Sequence, residues 1–212
     1  MPTWAGVDPD NGNPLWYKVN DDGTRTTTSV YSEATYERQG RSTPLAYGGF
    51  INTFSYKNFD LTIQLNYSLG GKIYDNIYAG MMHDGATTAQ NMHVDALEAW
   101  TTPGQQTNVP KYAINNATNS ASLSSRFLYD ATNVKLKTIT LSYTLPKNLG
   151  VFSKVISGAK LWVSADNLCT WFADKGYKGY DDIDIYGVQG YKTYPYSFPT
   201  PRTFSIGANL TF

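Results

Sequence analysis

Hydrophobic and polar residues alternate with period two in three stretches of the chain. Phe59, Leu61, Ile63, Leu65, Tyr67 and Leu69 interleave with Asp60, Thr62, Gln64, Asn66 and Ser68. Successive strand side chains point to opposite faces, so this run gives one wholly apolar face, whereas a helix would scatter the same residues. Phe204, Ile206, Ala208, Leu210 and Phe212 repeat the pattern against Thr203, Ser205, Gly207, Asn209 and Thr211. Ile139, Leu141, Tyr143 and Leu145 form a third set, with Val134 and Leu136 upstream on the opposite parity. That reversal predicts a bulge or a change of environment between them. Two less regular strands are expected over 47–56 and 159–172.

The connections alternate in length. Only Lys57 and Asn58 separate the strands around them, a tight hairpin. A long excursion follows to about Arg126, then a short link over 146–158, then a long one over 173–199. Short and long connections sorted by parity describe an up-and-down antiparallel barrel with unequal rims. The spacing of Val94, Leu97 and Trp100, stopped by Pro103-Gly104, predicts one short helix in the first excursion. The expected organisation is a loop and hairpin region over 1–44, a hairpin over 45–70, an external loop over 71–125, a strand pair over 126–172, an external loop over 173–199 and a terminal strand over 200–212.

Composition selects the solvent for the two faces. Charged residues are 16% of the chain, against about 25% in ordinary soluble domains. The polar positions are filled instead by 24 Thr, 16 Asn and 15 Ser. A soluble β-sandwich charges its outer face, while a barrel can turn hydroxyls and amides toward a lumen. Phe59 and Tyr67, like Phe204 and Phe212, lie eight residues apart, or about 19 Å along the membrane normal for strands tilted by about 45°. That is close to the apolar band of such barrels, about 25 Å. Five strands are too few for closure, which needs about eight, and lipid forbids open edges. The expected fold is therefore all-β, the C-terminal part of a large transmembrane β-barrel, either cut from a longer protein or read from a truncated frame. The alternatives are a secreted or surface β-sandwich binding carbohydrate and, more weakly, an adhesin-like structural module.

The joint order of several short motifs resembles the SusC/RagA-like TonB-linked outer-membrane transporters across essentially the whole chain. These are Trp4-Ala5-Gly6-Val7-Asp8-Pro9, Tyr47-Gly48-Gly49-Phe50, Gly70-Gly71-Lys72-Ile73-Tyr74-Asp75, Ser125-Arg126-Phe127-Leu128, Ala165-Asp166-Asn167-Leu168 and Pro201-Arg202-Thr203-Phe204. Cys169 departs from the pattern where an aromatic is usual, as does Asp181-Asp182 where Asp-Pro is common. The resemblance implies a Gram-negative outer-membrane location and import of glycans or other large nutrients, such as oligopeptides. It also implies a SusD-like lipoprotein lid, and TonB coupling through a plug and early barrel strands that these residues do not include. The fragment alone would not transport.

Candidate chemistry is sparse. Zero net charge excludes the basic footprint of a nucleic-acid binder, and one cysteine, Cys169, excludes an internal disulfide framework. His83 and His93 with Asp84 or Asp95 show no convincing metal spacing, and a solvated loop is the plainer reading. Asp8-Pro9-Asp10-Asn11-Gly12-Asn13 lacks the closing Glu of a calcium loop and reads as an Asx turn. Asp181, Asp182 and Asp184 read as a solvated tip. No nucleophile motif or carboxylate pair emerges, so neither an enzyme nor a cofactor is expected. Rings that could contact a ligand or partner are Trp100, Tyr177, Tyr180, Tyr186, Tyr191 and Tyr194. The expected membrane-facing and assembly set is Phe59, Leu61, Ile63, Leu65, Tyr67, Phe204, Ile206, Leu210 and Phe212.

Overall fold

The computed structural model describes residues 1–88, 90–146, 157–179, 192–193 (backbone) and 200–212. Its centre is one five-stranded antiparallel sheet built from the period-two segments. In chain order the strands are β4 (Ala46–Tyr56), β5 (Phe59–Leu69), β8 (Asn133–Thr144), β9 (Gly158–Phe172) and β11 (Thr203–Thr211), and they lie side by side as β11-β9-β8-β5-β4. Phe59 faces Tyr56 directly across the Lys57–Asn58 hairpin, and Lys57 takes a φ of 54° to make the turn.

The parity reversal in β8 is a bulge. Gln64 pairs with Thr138 and Leu65 with Leu136, so Lys137 is skipped. On the other side Leu136 pairs with Cys169 and Thr138 with Asp166, which leaves Asn167 and Leu168 unpaired on β9. Asn167 sits at φ 55°, a conformation Asn tolerates better than most residues. The extra residue returns Val134 and Leu136 to the face carrying Ile139 and Leu141.

Residues 1–45 and the connection over 70–132 join the sheet at the end where β5 finishes and β4 and β8 begin. The 1–44 region holds more structure than a loop with one hairpin: β1 (Trp4–Val7), β2 (Pro14–Val19) and β3 (Arg25–Thr28) form a three-stranded antiparallel sheet. A second small sheet contains β6 (Lys72–Tyr74) between β7 (Leu128–Asp130), antiparallel, and β10 (Lys192–Thr193), parallel. Helix α1 (Asn76–Met81) follows β6; its N-cap is Asp75, whose Oδ1 accepts the Tyr78 amide at 2.9 Å.

The helix expected near residues 91–100 is only a 3₁₀ turn, Val94–Glu98. Ala99 turns extended (ψ 143°), so Trp100 leaves the helical path. Val94 and Leu97 stay exposed, and Ala96 and Ala99 supply the packing instead. Among the described residues no helix is long and apolar enough to cross a membrane, which says nothing about strands.

Candidate functional site

The apolar face of the central sheet is uncovered. Its rows run straight across the strands: Phe54, Leu61, Leu141, Val163 and Ile206 in one, Tyr56, Phe59, Tyr143, Leu161 and Ala208 in the next. Ile206 is 85% exposed and Phe204 73%, values incompatible with a dry interior between two sheets. Among the described residues no second layer packs there, so the structure overturns the sandwich reading. An apolar patch of this extent marks an interaction surface. Aromatic rings border it at both ends. Phe59 and Tyr143 meet at 4.6 Å between centroids near the hairpin, and Tyr67 and Trp171 share a row close to the loop end. Leu61, Ile63 and Leu65 are half-buried by their in-plane neighbours, and Leu210 and Phe212 are exposed. Strand β4 is less regular, with Asn52 in the apolar rows and Ile51 opposite.

The other face explains the composition. Thr53 and Thr62 share a hydrogen bond at 3.0 Å, the Thr140 hydroxyl donates to Ser164 at 3.3 Å, and Thr138 donates to Asp166 at 2.8 Å. Asp60 accepts from Ser55 at 2.7 Å and from Lys160 at 3.0 Å, across the buried Ser142 between them. Hydroxyls thus satisfy one another from strand to strand, and Asp60 and Lys160 neutralise each other. Lys137 donates to Asn167 Oδ1 at 2.6 Å at the double bulge, and the Asn167 amide donates to the Pro201 carbonyl at 3.2 Å, which ties the bulge to the start of β11.

The loop end is a packed rim. Trp16 is fully buried and meets Trp4 and Tyr31 edge to face at 5.8 and 5.3 Å. Tyr31 donates to the Leu123 carbonyl at 2.8 Å, and the Trp4 amide to Ser125 Oγ at 2.9 Å. Phe127, Tyr74, Met82 and Val109 form the rim's apolar core. Beside it Arg126 and Asp84, both buried, pair at 2.9 Å, and the guanidinium also reaches the Ser120 carbonyl and stacks on Trp4 and Phe127. Burial pushes the Asp75 carboxyl above its ordinary range, opposed by the Tyr78 amide. At Asp95 burial pushes the same way, but hydrogen bonds from Tyr78 and Lys178 outweigh it and hold the carboxyl low. A cleft of about 430 Å³ lies against α1.

The predicted contact residues are split. The Trp100 indole donates to the Pro9 carbonyl at 3.0 Å and lies so close over Gly12 that a Cβ there would fall 2.4 Å from the ring. Tyr177 is buried against Phe172 and Tyr129. Tyr180, Tyr186, Tyr191 and Tyr194 lie outside the described residues, as do Asp181, Asp182 and Asp184. Asp8 Oδ1 accepts the Asp10 amide and Oδ2 the Asn11 side chain, which is an Asx turn. His83 and His93 each accept a backbone amide two residues on, and among the described residues no three metal-ligating side chains cluster. Sequence reasoning missed the Asp84–Arg126 pair and the Trp4–Trp16–Tyr31 stack. Their partners are far apart in the chain and carry no local periodicity.

No protein-family model matches the chain. It is 29% identical over 212 residues to TonB-dependent receptor P3 of Formosa agariphila, covering 97% of this chain and 19% of that protein. It is 26% identical to TonB-dependent receptor P26 of the same organism, covering 95% of this chain and 20% of that protein. Among solved structures it superposes on the RagAB peptide transporter with a TM-score of 0.81 and 30% identity, over 100% of this chain and 22% of that one. For the RagAB peptide importer in the closed-closed state the TM-score is 0.79 and the identity 29%. The chain thus spans about one fifth of the length of the curated relatives it matches.

Proposed function

We propose that this chain, a segment of a SusC/RagA-like TonB-dependent transporter of a Gram-negative outer membrane, forms the C-terminal wall of the transport barrel. One observation carries the reading: a single-layer sheet, apolar and bare on one face, laced with hydroxyls on the other. Lipid suits the first face and a watery lumen the second. In that arrangement Phe59, Leu61, Ile63, Leu65 and Tyr67, with Phe204, Ile206, Leu210 and Phe212, meet hydrocarbon and its interfaces. Strands β4 and β11 pair with strands of the parent protein, since unpaired backbone groups in lipid cost several kcal/mol each.

The packed rim then faces outward, toward a SusD-like lipoprotein lid and incoming cargo, a glycan or an oligopeptide. Trp100 and Tyr177 help shape that rim, and Tyr180, Tyr186, Tyr191 and Tyr194, which follow in the sequence, are proposed to contact cargo or partner. Energy would arrive from TonB through the parent's plug, and the role is passage rather than catalysis. The RagAB neighbours, described as a peptide transporter, favour the lid-and-barrel arrangement without fixing the cargo.

The test is epitope accessibility in intact cells expressing the full-length parent. A tag between Gln105 and Gln106, in the exposed rim, should bind antibody from outside, and a tag at Lys57–Asn58 only after permeabilisation. The opposite result, or a parent that is monomeric and folded without detergent, would overturn the reading.

A further inference from the structure

Asn52 interrupts the apolar face at its middle. The register of β4 on β5 sets it opposite Ile63, in the row that continues through Ile139, Ala165 and Phe204. That row lies halfway between Phe59 and Tyr67, the aromatic positions at the two ends of β5's apolar run. Every neighbour the sheet gives Asn52 on this face is apolar: Phe50 and Phe54 along its own strand, Ile63 directly across, Leu61 and Leu65 on the diagonals. Among the described residues its side chain makes no hydrogen bond. An amide carries two donor hydrogens and a carbonyl acceptor. In the lipid-facing arrangement proposed above, hydrocarbon offers partners for none of them, and leaving them unmet is costly. The side that remains is the free edge, since β4 is an outermost strand of the sheet.

The same strand is weakly patterned. Ala46, Gly48 and Asn52 stand opposite Leu69, Tyr67 and Ile63, while Gly49 and Ile51 fall on the hydroxyl face. A Gly-rich strand of mixed faces specifies its pairing register poorly. A slip of two residues keeps every side chain on its own face, so alternation alone does not forbid it. A hydrogen-bonded polar pair in hydrocarbon does, because any slip leaves both members unmet. Single buried amides fix register in this way between paired helices.

We infer that Asn52 is one half of a polar pair that fixes the seam between this segment and the rest of the barrel, the parent strand adjoining β4 carrying an amide or hydroxyl side chain opposite it on the lipid face. The inference rests on the barrel reading of the preceding proposal and adds the chemistry and position of one residue the parent must supply. Backbone groups of the adjoining strand are taken up by its ladder with β4, and a lipid tail has no polar atom at this depth. A side chain is the partner left.

The test is thiol cross-linking in the full-length parent, made otherwise free of cysteine (Cys169→Ser in this segment). Asn52→Cys is combined with single cysteines stepped along the strand adjoining β4, and the folded barrels are treated with a short, membrane-permeant thiol cross-linker. One position should link efficiently, and the residue naturally there should be Asn, Gln, Ser, Thr or Tyr. In the unmodified parent, Asn52→Leu should lower by several degrees the temperature at which the barrel unfolds on gels, because the partner is left unmet. Converting that partner to Leu as well should restore most of the loss. An aliphatic residue at the linked position, an Asn52→Leu barrel of unchanged stability, or linkage only to a second copy of the protein would overturn the inference and leave the barrel reading standing. Failure to link to any parent strand would sink that reading and this inference together.

Discussion

Trp162 of β9 and Gly207 of β11 pair directly across the hydroxyl face, with the indole over the glycine. A Cβ on Gly207 would lie 2.3 Å from the ring. The glycine is there for space, since its backbone is ordinary strand. Gly207→Val should therefore push Trp162 off its seat and destabilise the barrel by about 1–3 kcal/mol, the usual cost of overpacking. Loss of Trp162 packing can be followed by tryptophan fluorescence, and stability by the temperature at which the parent ceases to migrate as a folded barrel on gels.

Ile63 and Gln64 are sequence neighbours on opposite faces, in rows with Ile139 and Thr138 respectively. In the full-length parent Ile63→Arg should cost about 2–4 kcal/mol, as a cation at the bilayer midplane does, and Gln64→Arg should be tolerated in the lumen wall. The yield of folded barrel in outer-membrane fractions measures both. Equal yields for the two variants would contradict the assignment of faces.

Asp84 and Arg126 are an isolated buried pair, with side chains 1% and 6% exposed. Breaking such a pair from one side costs about 3–5 kcal/mol because the survivor is left charged and unmatched. Arg126→Met alone should loosen the rim enough to open 84–126 to limited proteolysis. Combining it with Asp84→Leu should restore much of the protection. Sheet stability should change little in either, since the pair's neighbours Ser120, Trp4 and Phe127 lie outside the central sheet.

The raised Asp75 carboxyl gives the rim a pH response. Its proton is held more tightly in the folded rim than in the unfolded chain. Its favourable contribution is therefore complete below the ordinary value of 3.8 and is lost as pH rises through the higher folded value. Hydrogen-exchange protection of α1 should fall over that interval. Asp75→Asn keeps a capping oxygen for the Tyr78 amide and should flatten the dependence. An unchanged slope would assign it to another group.

Much of the central sheet was legible because its rule is local. An apolar face backed by a hydroxyl face imposes strict alternation, so Phe59–Leu69 and Thr203–Thr211 could be bounded from sequence, and even the Lys137 bulge announced itself as a broken parity. The rim followed no such rule. Its core joins Trp16 to Tyr31 and Leu123, and Asp84 to Arg126, through contacts between segments that carry no period of their own. The short helix α1 offered only its Asp75 cap, and the 3₁₀ turn at Val94 mimicked helical spacing without a buried stripe. The cleft at His83 was equally hidden, because each wall residue looks like an ordinary loop residue in isolation.

The stitching of residues 1–44 to residues 71–126 has a practical corollary for loop grafting. Tyr31 is fastened to Leu123, Trp4 to Ser125, and Trp100 to Pro9. Transplanting either stretch alone onto a related barrel would strand half of a shared interior. The two must travel as one cassette if a new host is to inherit the packed rim.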